Sequence, residues 1–87
     1  MPYRIQIVPS ALRQMSHFDG RLRDRLGEAI DGLAQDPRPR GAVKLEGKAN
    51  RWRVRVGDYR VIYDIVEGIL LVMIIRIAHR REAYRGM

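Results

Sequence analysis

Three arginines, Arg53, Arg55 and Arg60, stand where a short β-hairpin would bring them onto one surface. Residues 51–63 read RWRVRVGDYRVIY, with Trp52, Val54 and Val56 alternating with Arg51, Arg53 and Arg55. Successive strand side chains point to opposite faces, so one face is apolar and the other a row of guanidinium groups. Gly57-Asp58 has the composition of a two-residue hairpin loop. With those two as the loop, Val56 pairs with Tyr59, Arg55 with Arg60, Val54 with Val61, Arg53 with Ile62 and Trp52 with Tyr63. Trp52 and Tyr63 then fall on the core side, where they pack and do not stack on bases. Like charges set directly across a ladder destabilise it by up to about 1 kcal/mol. The arrangement serves folding poorly and an anion well, because guanidinium pairs grip phosphate oxygens bidentately. The competing reading is a solvated sheet face in a chain whose arginine content follows a GC-rich genome.

The C-terminal stretch AHRREAYRGM adds His79, Arg80, Arg81, Tyr84 and Arg85. His79 is a candidate proton acceptor, and Tyr84 a candidate to exchange a proton with an RNA hydroxyl. A structural histidine at a strand end and a surface aromatic on a loose tail are the plain alternatives. Other chemistries find little footing. With no cysteine there is no disulfide framework and no thiolate nucleophile or ligand. His17 and His79 lack carboxylates at metal-site spacing, and no acidic cluster suggests two-metal phosphoryl transfer. No GxxxxGK[ST] loop is present. No cofactor is expected. An enzyme of this composition acting on a polyanion would work without metal. The natural reaction is attack of an RNA 2′-hydroxyl on its own adjacent phosphate, with arginines stabilising the crowded phosphorane.

Several elements must position these groups. Residues 3–8, YRIQIV, alternate as a first strand. Pro9-Ser10 opens a helix with Ser10 as N-cap and Ala11, Leu12, Met15 and Phe18 on one face. Asp19 caps a second helix over residues 21–35, whose stripe is Leu22, Leu26, Ile30 and Leu33. Asp36-Pro37 stops it. Residues 42–47 are an extended lead-in, and residues 48–50 a turn. The two hairpin strands follow, and Glu67-Gly68 makes another turn. Residues 69–77, ILLVMIIRI, read as a strand buried on both faces and central in the sheet. The order predicts a single α+β domain: strand, helix, helix, then three or four antiparallel strands. The helix hairpin covers one sheet face and leaves the Arg53, Arg55 and Arg60 face open.

Eighty-seven residues make one domain, and the net charge of +7 favours polyanionic partners. Fifteen of the seventeen basic residues are arginine, the better match to phosphate and to base stacking. The apolar run at residues 69–75 is too short to span a bilayer, and no h-region marks a signal peptide. The expectation is a cytoplasmic protein with no membrane partner.

KLEG at residues 44–47, WRVRVGDYRVIYDI at 52–65 and HRREAY at 79–84 resemble the RelE/ParE toxin superfamily of toxin–antitoxin systems, most of all its RelE branch. The likeness covers nearly the whole chain. It implies a small toxin that enters the ribosomal A site and cuts mRNA there, held inactive by a cognate antitoxin. Carried over by motif, the basic catalytic positions of the hairpin strand fall on Arg53 and Arg55, and the arginine of the next strand on Arg60. The C-terminal arginine falls on Arg80, with Arg81 its rival, and the catalytic tyrosine on Tyr84. Lys44, Arg51, Arg81 and Arg85 are the expected additional RNA contacts. RelE itself carries lysines where this chain has Arg53 and Arg55. Arginine, with a pKa above about 12, hardly releases a proton. The pair is therefore cast as charge stabilisers, with Tyr84 or His79 as the base. The ParE branch shares the fold and acts on DNA gyrase, so a gyrase inhibitor is the alternative. A non-enzymatic nucleic-acid-binding module is a third reading.

Overall fold

The computed structural model describes residues 2–81. The elements run β1 (Arg4–Ile7), α1 (Pro9–Ser16), α2 (Gly20–Gln35), β2 (Val43–Lys44), β3 (Arg51–Val56), β4 (Tyr59–Val66), one 3-10 turn (Glu67–Ile69) and β5 (Leu71–His79). The strands form one sheet in the order β1-β5-β4-β3-β2. β2 through β5 are antiparallel neighbours, and β1 joins β5 in parallel. The α+β architecture thus stands as expected, with a mixed sheet. β4 takes the central place assigned to the last strand, and β5 lies beside it, flanked by β1 over its first four residues.

Proline sets the start of α1. Pro9 occupies the first turn, where its missing N–H is no loss, and Val8 stands at the N-cap without a side-chain bond. Ser10 is inside the helix and does not cap it. The buried side of α1 also differs from the expected stripe: Ala11 is buried, whereas Leu12 is 51 % exposed. Gln14 takes a place on the inner side, for a reason that lies in the sheet. β1 stops at Ile7 while β5 runs on, so the outer edge of β5 loses its strand neighbour. The Gln14 amide nitrogen donates to the Ile77 carbonyl at 2.7 Å, and the Ile77 N–H donates to Gln14 Oε1 at 3.0 Å. One side chain replaces a missing strand.

α2 follows its sequence closely. The Asp19 carboxylate accepts from the Leu22 N–H at 2.9 Å and so satisfies one orphan donor of the first turn. Leu26, Ile30 and Leu33 are buried against the sheet, each worth about 1.5–3 kcal/mol of apolar burial. The helix ends at Asp36, whose backbone is extended ahead of Pro37. The connector is then tied down from below: Tyr63, fully buried, donates its hydroxyl to the Pro37 carbonyl at 2.7 Å. Burial pushes the Tyr63 pKa up to about 12.

The core lies between the helices and one sheet face. It gathers Leu26, Ile30 and Leu33 with Val56, Val61, Tyr63, Ile65, Val72, Ile74 and Ile77. β5 begins two residues later than its apolar run suggests. Ile69 is 56 % exposed in the 3-10 turn, and Leu70 turns the chain in a left-handed conformation at φ 51°. Ile62 pairs with Arg76 and Tyr63 with Ile74, so Ile75 is the extra residue of a bulge. The bulge is why residues 69–77 show no clean alternation. It lets Ile74 and Ile77 face the core together and sets Arg76 on the opposite face. No helix among the described residues is long and apolar enough to cross a membrane.

Candidate nucleic-acid interface

The hairpin register follows the expected one at every pair: Val56 with Tyr59, Arg55 with Arg60, Val54 with Val61, Arg53 with Ile62 and Trp52 with Tyr63. Gly57 holds φ 60° while Asp58 keeps a negative φ, the pattern of a type II′ turn with glycine first. A Cβ at Gly57 would also stand 3.2 Å from a terminal nitrogen of Arg25 on α2. The positive φ, more than this contact with the mobile end of a side chain, is what calls for glycine here.

Paired residues share a face, so the registers of β3, β4 and β5 define, in rows, the sheet surface opposite α1 and α2. At the turn end the row is Arg55, Arg60, Ala78. The next is Arg53, Ile62, Arg76, and the third is Arg51, Asp64, Met73. With strands about 4.8 Å apart and same-face positions about 6.8 Å apart, four guanidinium stems rise from an area about 10 Å by 7 Å. Neither of the first two rows contains a carboxylate. Ile62 is buried between the two arginines of its row.

The arginines differ in their settings. Among the described residues Arg60 is the one buried charged side chain, 8 % exposed, and its Nε has no hydrogen-bond partner. Its Nη1 reaches only the neighbouring Tyr59 carbonyl, at 3.5 Å. A buried donor left unsatisfied costs about 1–3 kcal/mol, and more when charged. Arg55 is exposed and folds back so that its Nε donates to the Gly57 carbonyl at 3.0 Å. Arg51 is committed elsewhere: its Nε and a terminal nitrogen form a fork on the two Asp64 oxygens at 2.7 and 3.0 Å. The hydrogen bond to Asp64 raises the Arg51 pKa against the lowering effect of burial. Arg51 therefore brings little net charge to its row.

Other expected site residues lie apart from the rows. Lys44 pairs with Trp52, which places it on the helix side of the sheet, opposite to Arg53. His79 pairs with Tyr59 and sits with it on the helix side, their rings edge to face at 5.3 Å. It does not close over the arginine floor. The odd–even alternation after the bulge puts Ile77 and His79 inward, a consequence of the extra residue that the apolar run concealed. Arg80 is exposed beside the hairpin turn, where its N–H donates to the Asp58 carbonyl at 2.7 Å. Arg81 follows it, exposed. Tyr84 and Arg85 lie outside the described residues. Arg76, absent from the expected set, is the residue that the sheet adds. Its only signal in the sequence is that it interrupts an apolar strand. Among the described residues, no three His, Asp or Glu side chains converge as a metal site would require.

Residues 5–84 match the family model described as the ParE toxin of type II toxin–antitoxin systems. The chain belongs to this toxin family. Within it the chain is similar to the toxin RelE of Mycobacterium tuberculosis, 32 % identical over 97 % of this chain and 88 % of that one. It is also similar to the toxin RelG of the same organism, 29 % identical over 98 % and 99 % of the two chains. The solved archaeal RelE–RelB complex from Pyrococcus horikoshii contains a chain that superposes with a TM-score of 0.83 at 30 % identity, covering 92 % of this chain and 97 % of that one. The RelE-like toxin carries its basic face on the sheet surface opposite α1 and α2.

Proposed function

We propose that this toxin is a ribosome-dependent endoribonuclease that cuts mRNA in the A site without metal. The observation that carries the reading is Arg60, a buried guanidinium with an unpartnered Nε, set in two sheet rows with four arginines and no carboxylate. A phosphate beside Arg60 would satisfy the one donor that folding leaves open there, through charge-assisted hydrogen bonds. The reaction is then attack of a ribose 2′-hydroxyl on the adjacent phosphorus. The 2′-oxygen loses its proton to a base, the P–O5′ bond breaks, and the leaving oxygen takes a proton. The products are a 2′,3′-cyclic phosphate and a 5′-hydroxyl. Arg53, Arg55 and Arg60 stabilise the charge that grows on the phosphorane. Neither the inward setting of His79 nor its ring contact with Tyr59 suits it to the base, and this supports Tyr84 in that role. Arg80 or Arg81, at the end of β5, supplies charge at the leaving oxygen. Lys44, Arg51 and Arg85 act as outer RNA contacts at most.

A cognate antitoxin is the expected protein partner, as RelB is for the archaeal RelE solved with it. The matched model bears the ParE description, which keeps a gyrase inhibitor as the second reading. Primer extension and ribosome profiling after induction in cells separate the two. Codon-phased cuts in translated mRNA are the expected result. Gyrase-dependent DNA breaks with intact mRNA would sink the nuclease reading.

A further inference from the structure

A second site lies on the helix side of the sheet, away from the arginine rows. Beyond the Gln14 clamp, the end of α1 and the end of the sheet part to leave a cavity of about 340 Å³. It is lined by Gln14, His17, Phe18, Tyr59, Ile77 and His79. That volume is at the lower end of the range for small-molecule sites, about 300–1,000 Å³. Its walls are aromatic: Phe18 and Tyr59 lie 5.1 Å apart at 57°, and His79 stands edge-on to Tyr59.

The two histidines are oriented by their other nitrogens. His17 Nδ1 is 2.7 Å from the Arg13 carbonyl, which can only accept, so the neutral ring carries its proton on Nδ1 and accepts at Nε2. His79 Nδ1 receives the Arg81 N–H at 3.3 Å, so the neutral ring carries its proton on Nε2 and donates there. The Gln14 amide is spent on Ile77. One imidazole acceptor, one imidazole donor and aromatic walls suit a neutral planar heterocycle with mixed donors and acceptors on its edge. RNA bases are read in this way, by stacking and edge hydrogen bonds. Arg80 and Arg81 are exposed at the same end of β5. A peptide strand fits less well, because Gln14 already occupies the backbone groups of Ile77 that such a strand would pair with. Arg60 and Tyr59 are adjacent and face opposite sides of the sheet. An RNA held on the arginine rows therefore has a short path around the sheet end to the cavity.

We propose that this cavity is a base-binding subsite, taking a nucleobase of the RNA that flanks the phosphate on the arginine rows. The inference rests on the nuclease reading for its RNA, and its test does not. The antitoxin-free full chain is titrated with AMP, GMP, CMP and UMP while the ring C–H signals of His17 and His79 are followed by NMR. At least one nucleotide should give saturable shifts at both rings. Phe18→Leu should weaken that binding at least about fivefold, as expected for a lost base–aromatic stack. Exposed His17 allows a second variant, His17→Ala, that leaves the core untouched and should change which base binds best. Ribose 5-phosphate, which lacks a base, should leave both rings unshifted. The proposal is overturned if no nucleotide shifts the rings, if ribose 5-phosphate shifts them equally, or if neither variant alters the titration. Shifts given only by an acidic helical peptide would assign the cavity to a protein partner and also overturn it. Nucleotide binding without mRNA cleavage would leave the subsite standing and remove the nuclease reading; cleavage without nucleotide binding would do the reverse.

Discussion

Arg60 concentrates the conflict between folding and function in one side chain. It faces Arg55 across the ladder and is buried with an unpartnered Nε. Arg60→Met keeps most of the stem's volume and removes the charge. It should raise stability by about 1 kcal/mol, since like-charge repulsion and an unsatisfied donor both disappear. Denaturant unfolding of the antitoxin-free chain reads this directly. A variant less stable than the parent would mean that Arg60 serves the fold. Arg51 makes the opposite case. Because Asp64 already holds it, Arg51→Ala should weaken RNA binding by less than about threefold at physiological salt, where an exposed phosphate contact would matter more. The alternation alone set Arg51, Arg53 and Arg55 in one row, and only the resemblance separated Arg53 and Arg55 as catalytic from Arg51 as an RNA contact. Their settings depend on what stands opposite on β4, and Asp64 opposite Arg51 decides that one.

At the scale of elements, the hairpin was legible and the last strand was not. The Gly57-Asp58 loop and period-2 alternation determine the register of β3 and β4 together, and both are local signals. β5 lacks alternation because a bulge at Ile75 interrupts it, and no residue type announces a bulge. The inward setting of His79, a candidate base, and the outward setting of Arg76 both follow from that bulge, and Arg76 was overlooked. Gln14 also escaped notice, since a glutamine on a helix looks like surface until the edge it completes is known. Gln14→Leu removes two hydrogen bonds to the Ile77 backbone and should destabilise the domain by about 1–3 kcal/mol. Hydrogen exchange at the Ile77 amide should speed up more than at Val61 on the central strand. Equal effects at both would show that Gln14 contributes only to global stability.

The whole molecule places a helix layer on one side of a sheet and charge on the other, in a chain of net charge +7. The helix layer rests on Tyr63, whose pKa is pushed up to about 12 by burial. Below the unfolded value near 10 the phenol is neutral in both states, and its contribution is intact. Above it the unfolded chain loses this proton first, so stability falls toward pH 12 by up to about 1.4 kcal/mol per pH unit. Tyr63→Phe should be less stable at neutral pH, having lost the bond to Pro37, and should show a shallower decline above pH 10. Parallel declines in the two proteins would place the linked proton elsewhere.

The claim that the arginine rows hold a scissile phosphate is tested most directly by single-turnover cleavage of A-site mRNA on programmed ribosomes with a chelator present. The parent chain should cut within the A-site codon, and Arg60→Met, still folded, should cut at least about 100-fold more slowly. Cleavage by Arg60→Met at the parent rate would contradict the account, as would no cleavage by the parent chain until a divalent cation is restored to ribosomes kept intact.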